Sequence, residues 1–371
     1  MLIQNAKAFM DGKFQEKTDL LIRDGRISAI GTGLAAEGEE TLDLGGDLLL
    51  PGFVDVHIHA FKGMDTMQGE EAVRHMSREL KKVGVAAFLP TTMSASPEDT
   101  VKALEGIKAV MDRPEPDGAI VLGAHMEAPF LAEAKAGAQL KQYFADPNEE
   151  NWQRYTGGLE SIVRLITMAP ERAGALDFIR ELTKKGITVS IGHTTADAET
   201  THAAAEAGAT HVTHTFNAQT PLNHRAPGVP GAALVDDRLQ CEVISDGIHL
   251  HPDIVKLIIR TKGGEKLVAI TDAMEAAGMP DGQYQLGGQD VFVHEGAARL
   301  KDGTLAGSTL TMVRAFQNLM RFGATPKEAA LMTTQTPALS IGNEELGEIE
   351  LGAPAIFSRF DENYAFKGTV G

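Results

Sequence analysis

Residues 1–50 alternate apolar and polar positions in short stretches. Asp11-Gly12 and Asp24-Gly25 sit between the apolar segments Ala8-Phe9, Leu20-Leu21-Ile22 and Ile27/Ile30, a pattern that predicts hairpins with tight turns. From about residue 48 the rhythm changes. Continuous apolar runs, the mark of strands buried on both faces, alternate with segments of helical period. Eight candidate strands follow at 48–58, 85–92, 119–127, 164–170, 187–193, 210–216, 240–248 and 266–272. Between them, Val73/Met76/Leu80/Val83 and Val101/Leu104/Ile107/Met111 mark apolar helix stripes, while Pro97-Glu98-Asp99 and Pro252-Asp253 suit helix starts. Eight strands, most followed by a helix, predict a barrel closed on itself. An open doubly wound sheet would want a glycine-rich turn after its first strand, where His57-Ile58-His59 stands instead. Residues 283–300 read as an inserted β-hairpin. The chain from Gly347 to Gly371 returns to short β segments, expected to pair with the N-terminal strands in a small β domain. The division is therefore 1–50 with 345–371, beside a barrel over 51–344.

Composition narrows the function. The formal charge of −17 argues against nucleic acid or anionic membrane as a partner, so any anionic substrate must be gripped by local cations. Cys241 is alone, which excludes an intrachain disulfide and a thiolate metal cluster. The first residues show neither a basic stretch nor an apolar core of a signal peptide, and no run of about 18 apolar residues exists. The expected location is the cytoplasm.

His57 and His59 are two apart at the end of a strand, so both face one side, the interior of a barrel. Alone this is a weak signal. Its weight comes from recurrence at other strand ends: Glu127 closes the third, His193 the fifth, His214 the sixth and Asp272 the eighth. The C-terminal ends of barrel strands form one rim, and imidazoles with carboxylates converging there suit a divalent cation. His75, His202, His211, His224 and His294 read as surface or loop positions, and His125 as a neighbour of Glu127.

With those residues in view, the chain resembles the N-acetylglucosamine-6-phosphate deacetylases of the amidohydrolase superfamily. The resemblance is carried by LPGFVDVHIH, HMEAPF, GHT around His193, HTFNA around His214 followed by Arg225, SDGIH around His249, ITDA around Asp272 and GTLAGSTLTM. It implies a (β/α)8 TIM barrel with a small β-sandwich domain built from both termini, as a homodimer. Glu127, His193 and His214 match the family's metal ligands and Asp272 its catalytic acid/base. His57 and His59 would add a second ion, with Glu127 bridging; Zn, Fe(II), Mn or Co would suit the nitrogen and oxygen donors. Substrate contacts carry over to Ala138, Asn217, Ala218, Asp246, Gly247, Ile248, His249, Leu305, Ala306 and Gly307. Arg225 would reach into the neighbouring subunit to complete its phosphate pocket.

The implied reaction removes acetate from N-acetylglucosamine 6-phosphate; N-acetylgalactosamine 6-phosphate is the close alternative. The chain departs from the family pattern in Ala128, in Gln139 where many relatives carry a histidine, and in Ile356 where an aspartate is usual. A ring-opening amidohydrolase would want a lysine on the fourth strand, which reads Leu165-Ile166-Thr167-Met168. A non-catalytic scaffold should have lost ligands, and none is missing.

Overall fold

In the computed structural model, which describes residues 1–35 and 37–371, the apolar runs form one parallel barrel. Its strands are β1 (Phe53–Ile58), β2 (Val85–Thr92), β3 (Ala124–Met126), β4 (Val163–Met168), β5 (Thr188–Ile191), β6 (His211–Val212), β7 (Gln240–Ile244) and β8 (Leu267–Ile270). Each pairs in parallel with the next, from Phe53 beside Val85 to Ile244 beside Ile270. The seam between β8 and β1 is closed by single hydrogen bonds. The Asp272 amide donates to the His57 carbonyl at 2.8 Å, and the buried Asp55 carboxylate accepts from the Thr271 hydroxyl at 2.5 Å.

Every residue of β1 and β2 is buried, which is why these strands read as continuous apolar runs rather than alternating ones. Helix α1 (Glu70–Lys82) covers them with Val73, Met76 and Leu80. Helix α2 (Pro97–Asp112) starts where Ser96 accepts from the Asp99 amide, with proline in its first turn. It buries Ala103, Leu104, Ile107 and Val110, while Val101 and Met111 stay half-buried at the edge of the stripe.

Three expectations about strand limits are corrected. The run 48–58 is two strands: Leu48–Pro51 lies antiparallel to Phe357–Phe360, outside the barrel. The break falls at Gly52, where a Cβ would sit 2.5 Å from that of Ala86. The run 119–127 is likewise interrupted, at Leu122-Gly123. And the strands expected to end at 193, 216, 248 and 272 stop at Ile191, Val212, Ile244 and Ile270. The cause is visible just beyond three of those ends: His193, His214 and Asp272 have φ of 45°, 28° and 49°, a left-handed backbone that a regular ladder does not continue through.

The terminal strands make one mixed seven-stranded sheet. Asp11-Gly12 and Asp24-Gly25 have positive φ at both residues, the geometry their sequences predict for two-residue hairpin turns. A bulge at Asn5 shifts the register of the first strand and bends the sheet around its own core of Ile3, Leu20, Ile27, Leu49 and Phe357. The insertion after β8 is three-stranded rather than a single hairpin: Gly282–Leu286, Gln289–His294 and Ala297–Leu300. Among the described residues no helix is long and apolar enough to cross a membrane.

Candidate metal centre and active site

Six side chains from five barrel strands meet at the C-terminal rim, and all six are buried. Glu127 is at their centre. Its Oε1 lies 3.2 Å from His193 Nε2 and 3.0 Å from His214 Nε2. His57 Nε2 is 3.4 Å from the same oxygen, and His59 Nε2 is 3.1 Å from Oε2. Asp272 Oδ1 stands 3.2 Å from His59 Nε2 and 3.6 Å from His57 Nε2.

The hydrogen bonds on the far side of each ring decide what these nitrogens offer. His193 Nδ1 donates to the Lys135 carbonyl at 2.8 Å, and His59 Nδ1 to the Thr91 carbonyl at 3.2 Å. His57 Nδ1 donates to Glu242 at 3.1 Å. A neutral imidazole has one N–H, so in that form Nε2 of each presents a bare lone pair to the centre. The tautomer of His214 is not held this way: its buried Nδ1 has no partner among the described residues. His57 Nε2 faces His59 Nε2 at 3.4 Å, and His193 Nε2 faces His214 Nε2 at 3.1 Å. Lone pairs so placed repel unless positive charge lies between them.

The carboxylates at the centre demand positive charge, from a proton on a ring or from an ion in its place. Burial depresses His57, but Glu127, Asp272 and Glu242 outweigh it and hold the ring well above the ordinary imidazole range. His59, equally buried, is pushed up to about 9 by Asp272 and Glu127. Glu127, despite a burial that favours its neutral form, is held well below the carboxylate range by His57, His193 and His214. The cluster is thus an anionic core ringed by nitrogen donors. Two trios, His57/His59/Glu127 and Glu127/His193/His214, are each close enough to hold a metal ion.

Beneath this layer lies Glu242 of β7, which the sequence reading missed. One of its oxygens accepts from His57 Nδ1 and from the His214 amide (3.2 Å), while the other faces His211 Nδ1 at 3.4 Å. Burial opposes its charge, but His211 and His57 hold the carboxylate ionised. The available signal was a lone acid inside the apolar run Cys241-Glu242-Val243-Ile244. His211, read as a surface position, is fully buried, because its strand start lies inside the barrel wall. His125 packs edge-on against His57, ring centres 4.5 Å apart, and is tied to Thr91 and Thr167.

Above the cluster opens a cavity of about 300 Å³. Of the residues expected at the substrate, Ala138, Asn217, Ala218, His249, Leu305 and Gly307 line it. Asp246 does not; it anchors His249 instead, Oδ2 to Nδ1 at 2.7 Å, and caps the Ile248 and His249 amides. Gly247 and Ile248 lie on the exposed outside of that loop, and Ala306 is buried in the core of the insertion. Arg225 is exposed on the loop after Ala218, outside this cavity. Lys135, Gln139, Met93 and Leu286 also line it; the last comes from the inserted sheet.

A parallel barrel carrying a buried, metal-ready histidine–carboxylate cluster under a cavity at its C-terminal rim defines a barrel hydrolase of the metal-assisted kind. The Amidohydrolase family matches residues 48–368, and the chain belongs to that family, with the N-acetylglucosamine-6-phosphate deacetylases. It is 36% identical over 375 residues to the N-acetylglucosamine-6-phosphate deacetylase of Lysinibacillus sphaericus, covering 100% of this chain and 96% of that one. It is 37% identical over 343 residues to the N-acetylgalactosamine-6-phosphate deacetylase of Escherichia coli O157:H7, covering 91% and 88%. The solved structure of a Mycobacterium smegmatis N-acetyl-D-glucosamine-6-phosphate deacetylase mutant, in complex with N-acetyl-D-glucosamine-6-phosphate, superposes with a TM-score of 0.92 at 32% identity, covering 100% and 97%.

Proposed function

We propose that the protein hydrolyses the acetamide of N-acetylglucosamine 6-phosphate, releasing acetate and glucosamine 6-phosphate, as a cytoplasmic enzyme of amino-sugar breakdown. The observation that carries this reading is the cluster itself: Glu127 shared between two histidine pairs, with Asp272 beside them and the cavity above. The names of its relatives support the substrate. Glu127, His193 and His214 would hold one divalent ion (Zn, Fe(II), Mn or Co), and His57 and His59 a second across Glu127; such ions polarise an amide carbonyl and acidify water.

The protein's own residues then do the following. Asp272 is ionised, because His57 and His59 outweigh the burial that would neutralise it, so it can accept a proton from the attacking water. It returns that proton to the departing nitrogen, since an amine leaves an amide only when protonated. His249 lines the same cavity, and against a burial that lowers it Asp246 shifts the ring upward, favouring its charged form. Asn217 and the Ala218 backbone flank the same wall, and Lys135 adds a second cation. In a homodimer, Arg225 of one subunit would complete the phosphate site of the other; its planar guanidinium grips phosphate where the net charge of −17 repels it.

The test is acetate release from both 6-phosphorylated N-acetylhexosamines and from their unphosphorylated forms, with metal content measured on the same sample. The glucosamine derivative should be turned over fastest. Preference for the galactosamine epimer would move the assignment to the alternative, and indifference to phosphate would defeat the phosphate pocket.

A further inference from the structure

We infer that Gln139 is a positioning residue that fixes Glu127 in its bridging orientation, so that the two histidine pairs operate as one two-metal centre. This rests on the two-ion reading above. Gln139 is buried, and its side-chain amide is oriented without ambiguity: Oε1 accepts from the Ser94 amide at 2.7 Å, so the NH2 group must point at the cluster. There Nε2 donates to Glu127 Oε2 at 2.5 Å. The loop that carries it is latched to the end of β2 a second time, by the Leu140 amide donating to Ser94 Oγ at 2.5 Å.

The two oxygens of Glu127 therefore have different duties. Oε1 faces His193, His214 and His57, whereas Oε2 faces His59 and is held by Gln139. A carboxylate oxygen has two lone pairs; the amide takes one of those on Oε2 and leaves the other toward His59. The last torsion of a glutamate is soft. Without the amide, the carboxylate is free to turn and offer both oxygens to an ion between His193 and His214. The His57/His59 pair would then lose its Glu127 oxygen and keep two nitrogens with Asp272 alone beside them, a poorer donor set that binds an ion less tightly. Gln139 thus sets the second ion's affinity and leaves the first ion's ligands in place.

The experiment strips the protein of metal and titrates it with Mn²⁺, reading stoichiometry, stepwise affinity and the exchange-coupled EPR signal of a carboxylate-bridged pair. Wild type should take two ions and show coupling. Gln139→Leu should hold its first ion as wild type does, bind the second roughly 10–100-fold more weakly, and lose the coupled signal. Ser94→Ala loosens the same loop but keeps the amide on Glu127, and should retain both ions. Unchanged stepwise affinities in Gln139→Leu, an equal loss of both ions, or a matching loss in Ser94→Ala would each overturn the proposal. A wild type that binds a single ion defeats the two-ion reading and this proposal with it; two ions untouched by Gln139→Leu defeat the proposal alone.

Discussion

The two histidine pairs around Glu127 are built on opposite principles. His57 lies within the ladder of β1 and His59 one residue past its end, with backbone outside the left-handed region and each Nδ1 committed to a buried acceptor. His193 and His214 lie beyond the ends of β5 and β6 on left-handed backbone, and Phe216 and Ala218 continue the strain at φ of 80° and 51°. The first pair is placed by regular structure and second-layer hydrogen bonds. The second is placed by bent loops that turn the rings toward the cavity: His193 and His214 both line it, as does His59 of the first pair, whereas His57 lies deeper. Both pairs would hold ions; what differs is whether a ladder or a strained loop sets the rings.

That contrast can be tested hardest at Asp272, which touches only the regular pair. Asp272→Asn should lower kcat by about 10²–10⁴-fold with metal content unchanged in both trios. Loss of metal on elemental analysis would make it a ligand rather than a proton carrier. Next in size is Glu242→Gln, which removes the charge that fixes the His57 ring. The ion at His57/His59 should weaken by roughly 10–100-fold in a metal titration, more than the other ion, since Glu242 holds the His57 ring itself but only the backbone amide of His214. Equal weakening of both would erase the distinction between the pairs.

A smaller effect is expected outside the metal cluster, at the Asp246–His249 pair. His249 has a raised folded-state pKa and Asp246 a lowered one, each despite burial. For a raised histidine, the stabilisation is fully present below its ordinary value near 6.5 and is lost as pH climbs through the raised one. KM for the phosphosugar should therefore be flat below about pH 6.5 and rise as pH climbs through the raised value. Asp246→Asn should bring that rise down toward pH 6.5 without altering metal content; a pH profile identical to wild type would sink the role given to His249. The smallest effect concerns the strained loop: Ala218→Gly accommodates φ of 51° at no steric cost and should stabilise the apoprotein by about 1 kcal/mol or less, read as a raised Tm. A lowered Tm would mean that the alanine methyl matters more than the backbone strain.

Much of this molecule was legible before folding, and for local reasons. Strand and helix periods mark the barrel because each element must bury its own apolar face, and the Asp-Gly turns declare their hairpins through the backbone they permit. The six residues at strand ends stand out because few side chains can hold a divalent ion. The ends of those strands were misjudged for the same local reason: short polar segments such as Thr213-His214 and Thr271-Asp272 follow them directly, and nothing in their composition announces a left-handed backbone.

What the sequence determined by itself is the set of parts: eight strands, their order, and the imidazoles and carboxylates carried at their ends. What only the tertiary structure decided is the assembly. Glu127 meets His214 across 87 residues, and Glu242 meets His57 across 185. Which oxygen faces which ring, which nitrogen keeps its proton and which loop latches Gln139 are set by barrel closure. Local propensity does not carry that information, because each of these contacts exists only once strands distant in the chain lie side by side.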